Sequence, residues 1–266
     1  MILFEKYQAG GNDFIVIDNR RGIVKNPSQF AKQFCQRKLG IGADGLILIE
    51  KAKDADFRFR IFNPDGSEPE MCGNGARCAA LFVVEHKIAP AKLSFLSEAG
   101  EYFAEVKSAA EVKIKMVDPT QINLDKELEV NEAPFTVNYI NTGVPHTVAF
   151  SADIENIKVE QLGCLIRQHR EFAPQGTNVD FVQARGKNSL AIRTYERGVE
   201  GETLACGTGT VASAIIAGLK GLVKSPVKVH TKGGEVLKVY FKKQKGHVKD
   251  IFLEGKAKMV FSGKIG

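Results

Sequence analysis

Two stretches decide how this chain folds: EMCGNGARCAALFVVE (residues 70–85) and LACGTGTVASAIIAG (residues 204–218). Each places a cysteine before a Gly-x-Gly turn that runs into an apolar, alanine-rich segment of helical length. Cys72 and Cys206 stand 134 positions apart in a chain of 266 residues, close to half its length. The same offset carries the flanking sequence without a gap, setting Glu68 on Glu202, Gly73 on Gly207, Gly75 on Gly209 and Ala80 on Ala214. Further on, Gly100 and Glu101 meet Gly234 and Glu235. Upstream, with one residue inserted, RIFN (60–63) meets RTYE (193–196), and GNDFIV (11–16) is set against TNVDFV (177–182). Ordered matches of this kind mark an internal repeat whose period is too long for a solenoid, so two similar domains are expected.

Each repeat reads as the same unit. DFRFRIF and SLAIRTYER alternate like strands, and NPDGSEPE and GVEGE have the composition of turns. The cysteine-led helix follows, and then LSFLSEAGEYFAEV and VKVHTKGGEVLKVYF read as strand, glycine turn, strand, with antiparallel pairing implied by the short connection. The expected class is α+β, with two pseudo-symmetric domains, each a curved, mostly antiparallel sheet around a central helix. The N-terminal domain is expected over 1–118, completed by the last strand at about 255–266, and the C-terminal domain over 119–254. MVDPTQINLDKELEVNEAPF (116–135), polar and holding two prolines, is expected to be the passage between them.

Composition narrows the function. The chain is 44% hydrophobic, enough for a core, and its 26% charged residues are mixed in sign with a formal net charge of +6. The densest basic cluster, Lys242, Lys243 and Lys245, has no interleaved stripe of aromatics, so no nucleic-acid partner is expected. No run approaches a membrane span and the N-terminus has no leader pattern, so no membrane partner and a cytoplasmic location are expected. Five cysteines, an odd number at irregular spacing, argue against a disulfide framework. Cys35, Cys78 and Cys164 read as small core residues.

Cys72 and Cys206 read differently because of where they stand. The first N–H groups of a helix have no partner within it and, with the macrodipole, amount to about half a positive charge. Such an end acidifies a thiol. Its N–H groups, left bare by Gly73, Gly75, Gly207 and Gly209, also form a cradle for a carboxylate. If both helix ends face one interdomain cleft, a thiolate on one side removes a proton from a carbon and a thiol on the other side returns one. Two like groups in one pocket titrate as a pair, which leaves one base and one acid. No cofactor is required, and neither cysteine has the partners of a metal site. The GTGTVAS glycines lack the lysine of a phosphate loop.

The motifs GGNDFIVID, GIGADGLILIE, FNPDGSEPEMCGNGARC, GTNVDFV and YERGVEGETLACGTGT resemble, in that order, those of the diaminopimelate epimerase family over nearly the whole chain. The resemblance implies a diaminopimelate epimerase-like fold whose domains close on the substrate. It implies a cofactor-independent, two-base isomerase that interconverts LL- and meso-diaminopimelate in lysine and peptidoglycan precursor synthesis. It implies that Cys72 and Cys206 are the acid and base, and that the backbone of Gly73, Asn74, Gly207 and Thr208 holds the reacting carboxylate. Asn12, Asn63, Asn178, Glu196 and Arg197 are implied as contacts to the substrate's other polar groups. The expected partner is a small amino-acid substrate, with a second copy of the chain in a homodimer as the one protein partner considered. Two positions depart from the family pattern: Val144 precedes Pro145 where many members have asparagine, and Gly45 stands where some have glutamine. Racemases of other amino acids, of the glutamate or histidine type, therefore stay open as alternatives on the same fold. A thiol redox enzyme, against which the lack of Cys-x-x-Cys counts, and a non-catalytic amino-acid-binding protein are the other readings.

Overall fold

The computed structural model describes residues 1–108, 110–244 and 247–266, and the chain divides into two compact units. The first comprises Met1–Lys115 and Glu254–Gly266, the second Met116–Leu253. Lys245, part of the basic cluster, lies outside the described residues, and Lys242 is paired with Asp250 at 2.9 Å.

In the first unit β1 (Ile2–Ala9) and β2 (Asn12–Asp18) form an antiparallel hairpin. Helix α1 (Pro27–Phe34) then crosses over to β3 (Gly45–Glu50), which lies parallel to β2, and β4 (Phe57–Phe62) returns antiparallel to β3. Helix α2 (Gly73–Glu85) makes the second crossover, to β5 (Lys92–Ser97), parallel to β4. The strands β6 (Gly100–Val106) and β7 (Glu111–Lys115) follow in antiparallel order. The last strand of the chain, Lys258–Ile265, pairs antiparallel with β1.

The second unit repeats this order. β8 (Thr120–Val130), β9 (Ala133–Asn141) and β10 (Pro145–Phe150) form an antiparallel meander. Helix α3 (Val159–Arg167) crosses to β11 (Asn178–Ala184), parallel to β10, and β12 (Ser189–Glu196) returns. After the short β13 (Gly201–Thr203), helix α4 (Gly207–Leu219) crosses to β14 (Val227–His230), parallel to β12. Then come β15 (Val236–Gln244), antiparallel to β14, and β16 (His247–Lys256), whose last residues belong to the first unit; the final strand is β17.

Both units are sheet-dominated α+β, and in each the cysteine-led helix is the one enclosed. Residues Asn74–Val83 of α2 and Gly209–Gly218 of α4 are buried on every side, which their continuous small and apolar composition permits. The core around α4 includes Val182, Ile192, Leu237 and Ile251. By contrast, α1 and α3 are amphipathic, each burying one face.

Two expectations need correction. The polar stretch 116–135 is no linker, because it contains all of β8, which pairs with β9. Only Leu128 and Val130 of β8 are buried, and the register shifts between Thr120 and Asn123 and again between Asn123 and Lys126, with Gln121 and Asp125 at positive φ. These irregularities erase the two-residue period by which a strand is read from sequence. The match of GNDFIV with TNVDFV also fails. GNDFIV spans β2, which precedes a crossover helix, and TNVDFV spans β11, which follows one. By pairing, β11 corresponds to β3 and β2 to β10; both β3 and β11 run parallel to the strand before the crossover and antiparallel to the strand after them.

Helix α3 lies against β12 through Gly163, where an added Cβ would come within 2.6 Å of Tyr195 Cβ and 2.7 Å of its ring. Gly163→Ala is therefore expected to lower stability by about 1–3 kcal/mol, the usual cost of overpacking, read as a lower urea midpoint at unchanged m-value.

Candidate active site

Cys72 and Cys206 are the N-cap residues of α2 and α4, with extended backbone at φ −143°, ψ 117° and φ −121°, ψ 115°. In each case the sulfur accepts the N–H of the residue three positions on, Gly75 or Gly209, at 3.4 Å. The cysteine carbonyls accept the first helical bonds, from Ala76 at 2.8 Å and Thr210 at 2.9 Å. Serine, threonine, aspartate and asparagine usually fill this role with oxygen. Here a thiol fills it twice.

The glycines after each cysteine keep the helix end accessible or allow it to fit. A Cβ on Gly73 would meet nothing within 4 Å, so that face of the first turn is open. A Cβ on Gly75 would come to 3.1 Å from Ile61 and 3.3 Å from Ile47. On Gly209 it would overlap the Asp180 carboxylate. Ile47 pairs with Ile61 across β3 and β4, and Asp180 pairs with Thr194 across β11 and β12, so the two helix starts rest on equivalent cross-strand pairs. One floor is apolar and the other is polar.

The polar floor is a hydrogen-bonded chain leading to Cys206. Thr194 Oγ1 donates to Asp180 Oδ1 at 2.7 Å, and His146 Nδ1 meets Asp180 Oδ2 at 2.7 Å. Since a carboxylate only accepts, Nδ1 carries a hydrogen, and Nε2 faces Thr208 Oγ1 at 2.9 Å. Thr208 Oγ1 in turn lies 3.5 Å from Cys206 Sγ. His146, Asp180 and Thr194 are buried, and none of them was singled out as a site residue from sequence. The available signal was a charged residue inside the apolar strand VDFV.

Burial reverses the acidification expected of Cys206. Desolvation pushes its thiol well above the ordinary value, nearby Glu196 and Asp180 add to the effect, and the N–H of Gly209 and the Thr208 hydroxyl oppose it without winning. A helix end lowers a thiol pKa only while the sulfur remains hydrated enough to ionise. Cys206 therefore rests as a neutral thiol, whereas Cys72 is only partly buried.

The other implied contact residues fall into two groups, one in each unit. In the first, Asn12 Oδ1 accepts from Asn74 Nδ2 at 2.7 Å, and Asn63 Nδ2 donates to Ser67 Oγ at 2.9 Å within its own turn. In the second, the Asn178 amide ties two backbone segments, donating to Pro145 O at 3.0 Å and accepting from Arg197 N at 2.9 Å. Glu196 accepts from Thr203 Oγ1 at 2.8 Å and Arg197 Nη1 donates to Gln175 O at 3.1 Å, so these neighbours take separate partners. Arg197 lines a polar cavity of about 540 Å³ with Asn141, Pro145, Gln175, Tyr139 and Lys126. Val144 contributes its carbonyl to Thr142 N at 3.1 Å. At Gly45 a Cβ would approach Phe62 O to 2.9 Å and the Phe14 ring to 3.4 Å, which accounts for glycine there in this chain.

The diaminopimelate epimerase family model matches residues 4–122 and 138–260. The chain belongs to this family. Its relatives include the diaminopimelate epimerases of Hydrogenobaculum sp. (strain Y04AAS1), 44% identical over 99% of this chain and 98% of that one, and of Aquifex aeolicus (strain VF5), 45% identical over 98% and 97%. Among solved structures the fold is shared with a Bacillus anthracis phenazine biosynthesis protein of the PhzF family, at TM-score 0.77 and 15% identity over 100% of this chain and 99% of that chain. It is also shared with a probable proline racemase from Agrobacterium radiobacter K84, at TM-score 0.70 and 14% identity over 100% and 93%. Among the described residues of this family member, no helix is long and apolar enough to cross a membrane.

The difference between the thiols is open to measurement. With iodoacetamide near pH 7.5, Cys72 is expected to be labelled first, and Cys206 only as the pH passes well above the ordinary thiol value of 9.0. Peptide mass spectrometry reads the order, and equal labelling at neutral pH would contradict it.

Proposed function

We propose that the protein is a cofactor-independent isomerase that inverts one alpha carbon of diaminopimelate, taking the LL form to the meso form. Membership of the diaminopimelate epimerase family supports the reaction and the substrate. The observation that carries the chemistry is the doubled N-cap cysteine, since inversion at a carbon bearing hydrogen needs one proton-transfer group for each face.

In this reading the substrate carboxylate lies against the backbone N–H groups of Gly73, Asn74, Gly207 and Thr208, where the helix ends favour negative charge. As the Cα–H bond breaks, charge moves onto that carboxylate, and N–H groups already in place stabilise it without reorganising. Burial disfavours the thiolate of Cys206, which suits it to the proton-donor role, and Cys72, only partly buried, is assigned the opposite role of base. The proton leaving Cα goes to Cys72 Sγ, the proton arriving comes from Cys206 Sγ, and the charge passes from one sulfur to the other. Reaction in the reverse direction uses the same pair with the roles exchanged.

Glu196 is suited to a substrate ammonium, and Arg197 to the carboxylate of the non-reacting end, reached through the polar cavity it lines. Asn12, Asn63 and Asn178 complete the polar contacts, with the free hydrogen of Asn178 Nδ2 as its one remaining donor. Asn141, on the same cavity, offers an amide near the position where Val144 provides none.

In heavy water, deuterium is expected to enter Cα of diaminopimelate, while glutamate and histidine under the same conditions stay unlabelled. Cys72→Ala and Cys206→Ala should each lower turnover by at least about 10²-fold, the lower end of general acid–base contributions. Either variant turning over at the wild-type rate would remove the two-base assignment. Labelling of glutamate or histidine in preference to diaminopimelate would reassign the substrate.

A further inference from the structure

Four side chains of the first unit form one polar line whose direction is fixed at both ends. The guanidinium of Arg77, fully buried on α2, donates to Asn74 Oδ1 at 2.7 Å. Asn74 Nδ2 donates to Asn12 Oδ1 at 2.7 Å, and Asn12 Nδ2 donates to Asp44 Oδ2 at 3.2 Å. A guanidinium has only donors and a carboxylate only acceptors, so each amide between them has one allowed orientation. Turning either over would set N–H against N–H at one junction and oxygen against oxygen at the other.

Both ends of the line are held. Asp44 is paired with Arg37 at 2.6 Å and accepts the N–H of Asp13 at 3.1 Å. At the other end Arg77 is one helical turn along from Asn74. Gly10, at φ +60°, gives Asn74 its space: a Cβ there would come within 2.7–2.9 Å of the three terminal atoms of the amide. Asn12 and Asp44 are the partly exposed members of the line, and of these Asn12 is the one bonded to Asn74, itself two residues from Cys72.

We infer that Arg77 and the side chain of Asn74 are positioning residues that lock the Asn12 amide, so that its remaining hydrogen and remaining lone pair meet the substrate in one fixed sense. The identity of that substrate rests on the epimerase reading above; the locked orientation does not. Asn74 thereby has two separate duties, its backbone N–H toward the carboxylate and its side chain toward Asn12.

Asn74→Asp tests the lock, because it keeps the shape and the backbone N–H while placing an acceptor against Asn12 Oδ1. The amide of Asn12 must then either face a like atom or turn over and face Asp44 oxygen to oxygen. Adding Asp44→Asn gives Asn12 Oδ1 a donor again, with the Asn74–Asn12 and Asn12–Asp44 bonds reversed, while Arg77 still donates to residue 74 and the Asp13 N–H gives up its Oδ2 acceptor, a cost set against the recovery. Asn74→Asp should lower Tm, and Asn74→Asp with Asp44→Asn should regain much of the loss when compared with Asp44→Asn alone in a double-mutant cycle. KM for diaminopimelate should rise at least about tenfold in both, with kcat much less affected, since Asn12 stays reversed in the double variant. An unchanged Tm in Asn74→Asp, or no recovery in the cycle, overturns the lock. Recovery of KM together with Tm overturns the positioning role. If Asn74→Asp does not fold, the double variant decides alone: folded with raised KM supports the inference, and unfolded overturns it. The melting comparison needs no substrate, so a wild type that fails to exchange Cα hydrogen would sink the epimerase reading and leave the lock to be judged by Tm.

Discussion

The sulfur that caps each enclosed helix is the constraint from which the rest of the structure follows. A cap bond to the third N–H fixes the cysteine side chain relative to the first turn, and the first turn belongs to a helix that cannot shift because it is buried on all sides. The thiol position is thus set by the packing of a whole unit. The same bond consumes one of the free N–H groups of the helix end and leaves the others for an anion. Serine, threonine, aspartate or asparagine would accept that bond more strongly through oxygen.

The two units share a ladder and differ beneath the helix start. Under α2 the cross-strand pair is Ile47 and Ile61; under α4 it is Asp180 and Thr194, with His146 buried against them. The isoleucine pair fills space and brings no charge beneath the start of α2. The Asp180 carboxylate, by contrast, helps to raise Cys206 and anchors the chain through His146 and Thr208 to its sulfur. A buried carboxylate is costly unless its oxygens are bonded, and here Thr194 and His146 take one each. Duplication supplied the frame, and divergence of one floor made the thiols unequal.

Much of this was legible in the sequence. The offset of 134 residues, the cysteine before Gly-x-Gly and the small-residue helix that follows located α2 and α4 and both N-caps, because helix ends and close backbone approach demand particular residues. The turn glycines Gly100 and Gly234, at φ +116° and +81°, were readable for the same reason. The strand β8 was not, since two shifts of register remove its alternation. Nor was the correspondence of β2 with β10, where His146 stands at the place of Phe14 and the two sequences do not resemble each other. The neutral state of Cys206 could not be read either, because a helix end lowers and burial raises, and only the surroundings decide which is larger. The line from Arg77 to Asp44 joins residues 33 positions apart and depends on which atom of each amide faces which neighbour, a matter of three-dimensional contact.

The capping sulfur also ties the chemistry to the durability of the fold. An oxidised or alkylated Cys72 or Cys206 would lose the acceptor that closes its first helical turn, or would present it at the wrong distance, in the most enclosed helix of its unit. A chemical change at either sulfur is then felt in the first turn of an enclosed helix as well as at the proposed site of proton transfer.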